Sequence, residues 1–138
     1  MWSFKMIFTN TKMHELINTM QELMFCKGML GYAIMRNYRL LSEACQDYLK
    51  VYEKALVEYG DVRTTDNADE SVETYTIDTT SKNFEQFAKE IEPLAYLPVE
   101  VNIITIPYTD AMEQLTAAQM LTIEWMLTED EKPSEVIK

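Results

Sequence analysis

Glycine is scarce in this chain, at three residues (Gly28, Gly31 and Gly60) out of 138. That excludes the glycine-rich loops that cradle phosphates, which need several backbone positions free of a Cβ within one turn. Histidine occurs once, as His14, and cysteine twice, as Cys26 and Cys45. One His and two Cys at this spacing match none of the paired-ligand patterns of zinc sites, and no Ser or Cys stands in a nucleophile context. No metal, no cofactor and no catalytic residue is expected. The two cysteines lie in apolar-patterned segments and read as buried free thiols of a reducing compartment. Cations are also few, 12 Lys+Arg against 23 Asp+Glu, for a formal charge of −11. Phosphate contacts need cations, so direct binding to nucleic acid or an anionic membrane is disfavoured and a basic partner is favoured. No window approaches the run of about 18 apolar residues that a membrane span requires, and "MWSFKMIFTN" alternates without a cleavage site. The expectation is a soluble, intracellular protein.

What is present is core. A hydrophobic content of 47% suffices for one domain without disulfides or metal. Trp2, Phe4, Met6 and Phe8 alternate with Ser3 and Lys5, the period of a half-buried strand. Thr9, Asn10 and Thr11 are N-cap candidates for a helix carrying Met13, Leu16, Ile17, Met20, Leu23 and Met24, broken or bent at Gly28. Ile34, Tyr38, Leu41, Cys45, Tyr48, Tyr52, Ala55 and Tyr59 advance by fours and threes, which predicts one long helix with a single apolar seam. Gly60 then reads as its left-handed stop. "SVETYTID" is a strand candidate. "TTSKNFEQFAKEIEPLAYL" holds a short helix stopped by Pro93, and "PVEVNIITIPY" is the clearest strand. Thr116 and Gln119 form a capping box, with Leu115 and Met120 as the staple, for a last helix running through Leu127. The predicted class is α+β: a long helical hairpin packed on a small, three-stranded sheet, with a C-terminal helix. The domain spans residues 1–128, and residues 129–138 read as an acidic, flexible tail.

The functional question centres on "EYGDVRTTDNADESVE", residues 58–73, with six carboxylates and one arginine. A calcium loop needs oxygen ligands at positions 1, 3 and 5, a glycine at 6 and a glutamate at 12. Starting at Asp61 places Arg63 at position 3, and starting at Asp66 places Ala68 there, so both registers fail. A polar connection also cannot desolvate paired carboxylates for acid–base work. Two readings of the surface remain. Asp61, Asp66, Asp69, Glu70 and Glu73 form an array that imitates a polyanion and occupies a basic groove, or they keep an acidic protein solvated. Separately, Tyr38, Tyr48, Tyr52 and Tyr59 on the helix seam could pair with a second copy, since tyrosine is enriched at interfaces.

The run "FCKGMLGYAIMRNYRLLSEACQDYLKVYEKALVEYGD" and, after a gap, "NFEQFAKEIEPLAYLPVEVNIITIP" resembles an uncharacterised family of short phage and prophage proteins. Tyr32, Ala33 and Asn37 stand where its members enter a long helix. Tyr59 and Gly60 match its "YG" end, Phe84 its short helix, and Val99, Glu100, Val101 and Ile103 its "VEVxI" strand. The similarity covers Cys26 to Pro107; the low lysine content and the many tyrosines and methionines depart from the pattern. The resemblance implies a phage origin, the cytoplasm of a bacterial host and no agreed activity. It leads to the expectation of a non-enzymatic protein that inhibits a nucleic-acid-handling defence protein of the host, in the manner of anti-CRISPR proteins. The alternative is a phage assembly protein, self-associating as a homodimer through the tyrosine seam.

Overall fold

The computed structural model describes residues 2–67 and 70–129, with Asp66 and Asn67 described by their backbone alone. The expected acidic tail beyond Glu129 lies outside the described residues. The chain is α+β, and it divides into two compact units, Met1–Cys45 with Pro98–Lys138, and Gln46–Leu97. One domain was the expectation for residues 1–128. The division arises because the long seam supplies two separate cores.

In the first unit, β1 (Trp2–Thr9) runs antiparallel to β4 (Pro98–Pro107), with Trp2 opposite Thr105 and Phe8 opposite Val99. Alternation sorts the side chains, so Phe8, Val101 and Ile103 are buried on one face while Lys5, Glu100 and Asn102 are exposed on the other. Helix α1 (Asn10–Met20) starts directly after β1, with Thr9 Oγ1 accepting from the Lys12 N–H at 3.1 Å. Its stripe of Met13, Leu16, Ile17 and Met20 is buried, and a short 3-10 turn, Gln21–Leu23, follows. Helix α2 (Gly28–Ala44) begins at Gly28, whose φ of 65° is the left-handed region that glycine accepts. Gly28 therefore opens the second helix of the hairpin, where the sequence suggested a break in the first.

The third strand of this sheet is β5 (Leu127–Thr128), parallel to β4 at Ile106 and Pro107. The expected partner, "SVETYTID", pairs elsewhere. The last helix is correspondingly shorter than its pattern. Helix α5 (Tyr108–Met112) is followed by α6 (Ala117–Thr122), then a 3-10 turn over Glu124–Met126. The capping box of α6 is present, with Gln119 N–H donating to Thr116 Oγ1 at 3.2 Å and Thr116 N–H to Gln119 Oε1 at 2.9 Å.

Two side-chain amides each bond both the N–H and the carbonyl of a single distant residue. Asn37 of α2 is fully buried; its Nδ2 donates to the Ile104 carbonyl at 2.8 Å and its Oδ1 accepts the Ile104 N–H at 2.8 Å. Alternate residues of an antiparallel pair turn both backbone groups away from the partner strand, and β5 reaches only Ile106 and Pro107 on that edge. The Asn37 amide closes the edge one step further along. Gln114 does the same for Lys27, accepting its N–H at 2.7 Å and donating to its carbonyl at 3.0 Å, at an exposed position.

The second unit holds α3 (Gln46–Tyr59), β2 (Asp61–Asn67), β3 (Glu70–Thr76) and α4 (Phe84–Ala95). The single long helix of the sequence reading is thus two helices. Cys45 leaves the helical region at φ −111°, ψ 15°, although neither proline nor glycine marks the place. Gly60 does not take a positive φ either. It is required because a Cβ there would fall 2.4 Å from the Leu56 carbonyl oxygen and 3.0 Å from that of Thr76. Pro93 lies inside α4, two residues before its end, where the sequence suggested a stop; the helix loses one hydrogen bond there and continues.

Replacing Asn37 with Ala leaves the part-buried N–H and carbonyl of Ile104 without partners, an expected loss of about 1–3 kcal/mol. Gln114→Ala, whose partners water can reach, is expected to cost about 1 kcal/mol or less. Urea unfolding followed by tryptophan fluorescence compares them, since Trp2 and Trp125 both belong to the first unit.

Candidate interaction surface

The stretch read as an acidic connection is largely an ordered ribbon. β2 and β3 pair antiparallel from Asp61 opposite Thr76 to Asn67 opposite Glu70, as a two-stranded sheet of their own. The strand chemistry of the first half is Val62, Thr64 and Thr65, β-branched residues that suit a pleated ribbon. Carboxylates hid that signal, and only β3 was legible beforehand. No two carboxylates stand directly opposite one another: Glu73 faces Thr64, Asp66 faces Ser71, and Glu70 faces Asn67. Like charges in that position would repel.

The register also divides the predicted array. Glu73 and the Asp66 position share one face with Val62 and Tyr75, whereas Asp61 and Glu70 share the other with Arg63 and Val72. Asp69 and the side chain of Asp66 lie outside the described residues. Asp61, Glu70 and Glu73 are exposed. Among the described residues the ion pairs are Lys5 with Glu100 and Lys12 with Glu15, so these three carboxylates meet no cation. Two of them are oriented by hydroxyls. Ser81 Oγ donates to Asp61 Oδ2 at 2.7 Å, and Tyr75 Oη donates to Glu73 Oε1 at 3.0 Å, which pushes the pKa of that phenol above its ordinary value. Next to Ser81, Asp78 Oδ1 accepts from Thr80 Oγ1 at 2.6 Å and Thr80 N–H at 2.8 Å, and these bonds hold its carboxyl below the ordinary range.

The tyrosines have a different fate. Tyr48 is buried with Ala55, Phe87, Ile91 and Ala95, and Tyr52 and Tyr59 pack against that cluster. Tyr52 meets Phe87 edge to face, with ring centroids 5.5 Å apart. Tyr38 belongs to the first unit, where its hydroxyl accepts from Gln21 Nε2 at 3.0 Å. The seam predicted for self-association is therefore divided between units. Its larger part, Tyr48, Tyr52 and Tyr59, is covered by α4 of the same chain.

Among the described residues no group of three or more His, Cys, Asp or Glu side chains is placed to hold a metal ion. Burial pushes the thiols of Cys26 and Cys45 above their ordinary value, the opposite of what an attacking cysteine needs. No helix among the described residues is long and apolar enough to cross a membrane. Comparisons with protein-family models, curated proteins and solved structures return no match.

Tyr59 Oη donates to Glu90 Oε2 at 2.6 Å, joining α3 to α4, and this bond first, then desolvation and the nearby carboxylates, push its pKa from 10.0 to about 12. The folded state thus keeps a proton that the unfolded chain loses earlier. The bond's contribution is complete below pH 10 and disappears as pH rises to about 12. Tyr59→Phe removes it. The stability advantage of the wild type over Tyr59→Phe is expected to shrink across that window in urea titrations read by far-UV circular dichroism.

Proposed function

We propose that the chain is a non-enzymatic, phage-type protein that acts in the cytoplasm of a bacterial host. There it binds a basic, nucleic-acid-handling protein through the β2–β3 ribbon and blocks it as an anti-CRISPR-like inhibitor does. The observation that carries this reading is the ribbon itself. Carboxylates that a loose connection would leave averaged are held in a fixed register, Asp61 and Glu70 toward opposite ends of one face and Glu73 on the other, with no cation of their own among the described residues. Prior ordering lowers the entropy cost of binding, and unpaired carboxylates steer a basic partner at long range. Residues 46–97 carry twelve carboxylates against five cations, more than their share of the net charge of −11. Since the register sends carboxylates to both faces, the ribbon suits insertion between two basic walls better than docking on one flat surface.

The test is capture from bacterial lysate by the tagged full chain, with and without competing DNA, alongside a triple variant Asp61→Lys, Glu70→Lys, Glu73→Lys. The expected result is a DNA-binding protein that competing DNA displaces and the triple variant fails to hold. The melting temperature of the variant should stay within a few degrees of the wild type, because exposed unpaired charges contribute little to stability. A captured protein held equally by both forms would place the interface elsewhere.

A further inference from the structure

The covered face of the first unit's sheet is finished at one end only. Phe8, Val101, Ile103 and Thr105 are buried there, yet Trp2 and Phe4, on the same face of β1, are 41% and 57% exposed. Beside them lies a cavity of about 420 Å³ lined by Trp2, Phe4, Thr105, Trp125, Leu127 and Thr128. That volume lies within the range of about 300–1,000 Å³ usual for small-molecule sites.

Two of the lining residues carry the further observation. Trp125 Nε1 and Thr128 Oγ1 are buried and meet no hydrogen-bond partner among the described residues. Native proteins leave few such groups, because each forfeits its hydration without replacement. The second hydroxyl in the wall is already used, since Thr105 Oγ1 donates to the Trp2 carbonyl at 3.2 Å. The Trp125 ring is also held in place, edge to face on Phe8 with centroids 5.6 Å apart.

The geometry points to a binding site for a small uncharged molecule with a flat apolar body and a carbonyl oxygen. An indole N–H can only donate and a hydroxyl can donate, so the pair calls for an acceptor. None of the six lining residues is charged and the chain carries −11, which selects a neutral acceptor over a carboxylate. The indole, the phenyl ring of Phe4 and the Leu127 side chain supply the apolar wall. All six lining residues belong to the first unit.

Trp2 and Trp125 are the only two tryptophans of the sequence and both line the cavity, so their emission reads its occupancy. Titration of the full chain with acetanilide is expected to give a saturable change. Propylbenzene, similar in size but without the carbonyl, should bind at least about ten-fold more weakly. Thr128→Val is expected to weaken acetanilide several-fold while raising the melting temperature of the free protein, because it removes an unsatisfied buried hydroxyl. Trp125→Phe, with Trp2 as reporter, gives an independent loss of the donor. Equal affinity for the two probes, no saturable response to acetanilide at millimolar concentration, or both variants binding like the wild type would overturn the proposal. So would a Thr128→Val protein that is less stable and binds nothing, which is the signature of a cavity satisfied by water.

Discussion

A central strand must place its backbone hydrogen bonds on both sides, and β4 has a full neighbour on only one. Along its second edge β5 contributes two residues, and beyond them the requirement falls on the Asn37 amide, which meets Ile104 as another strand would. Much of the first unit follows from that pairing. It anchors α2 to the sheet at a fully buried point, so that Ile34 and Leu41, one turn to either side, are buried in the same core. The Asn37 Nδ2 also lies 3.4 Å from Met126 Sδ, tying the turn before β5 to the same amide. An aliphatic side chain at position 37 could fill the volume, but it could not satisfy the strand.

The second unit is organised by aromatic packing between two helices. Tyr48, Tyr52 and Phe87 interlock α3 and α4, and Tyr59 adds a hydrogen bond to Glu90 at the end of the contact. On this frame the ribbon follows α3 after one residue, Gly60, whose lack of a Cβ lets the chain turn against the Leu56 carbonyl. Tyrosines that suggested an outward-facing interface serve inside, and the outward-facing chemistry belongs to the carboxylates.

Periodicity made some of this legible and concealed the rest. The α1 stripe, the Thr116–Gln119 capping box and the alternation of β4 are local patterns, and each appears where the sequence places it. The α+β class follows from their order. The break at Cys45 left no trace because the apolar spacing runs through it in phase, so one seam was visible where two cores exist. Partner choice among strands is non-local, and nothing in "SVETYTID" says that Asp61–Asn67 rather than β1 lies beside it. Asn37 did leave a sign: it stands three after Ile34 and four before Leu41, a polar residue at the spacing of a buried stripe. The carboxylates of the ribbon were visible as residues, but their division between two faces depends on the register.

The first unit is assembled from the two ends of the chain, with Trp2 paired to Thr105, whereas residues 46–97 form their contacts within one continuous segment. During synthesis these two facts impose an order. The segment from Gln46 to Leu97 emerges ahead of β4 and can collapse while β4 is still inside the ribosome. β1, which is made before the other strands described, has to wait for the fourth. Its Trp2, Phe4 and Phe8 are therefore apolar side chains on an unpaired strand until β4 is free to join it. The slow, long-range closure of that sheet is the step at which a nascent chain of this protein is most open to capture by a chaperone or by another copy of itself.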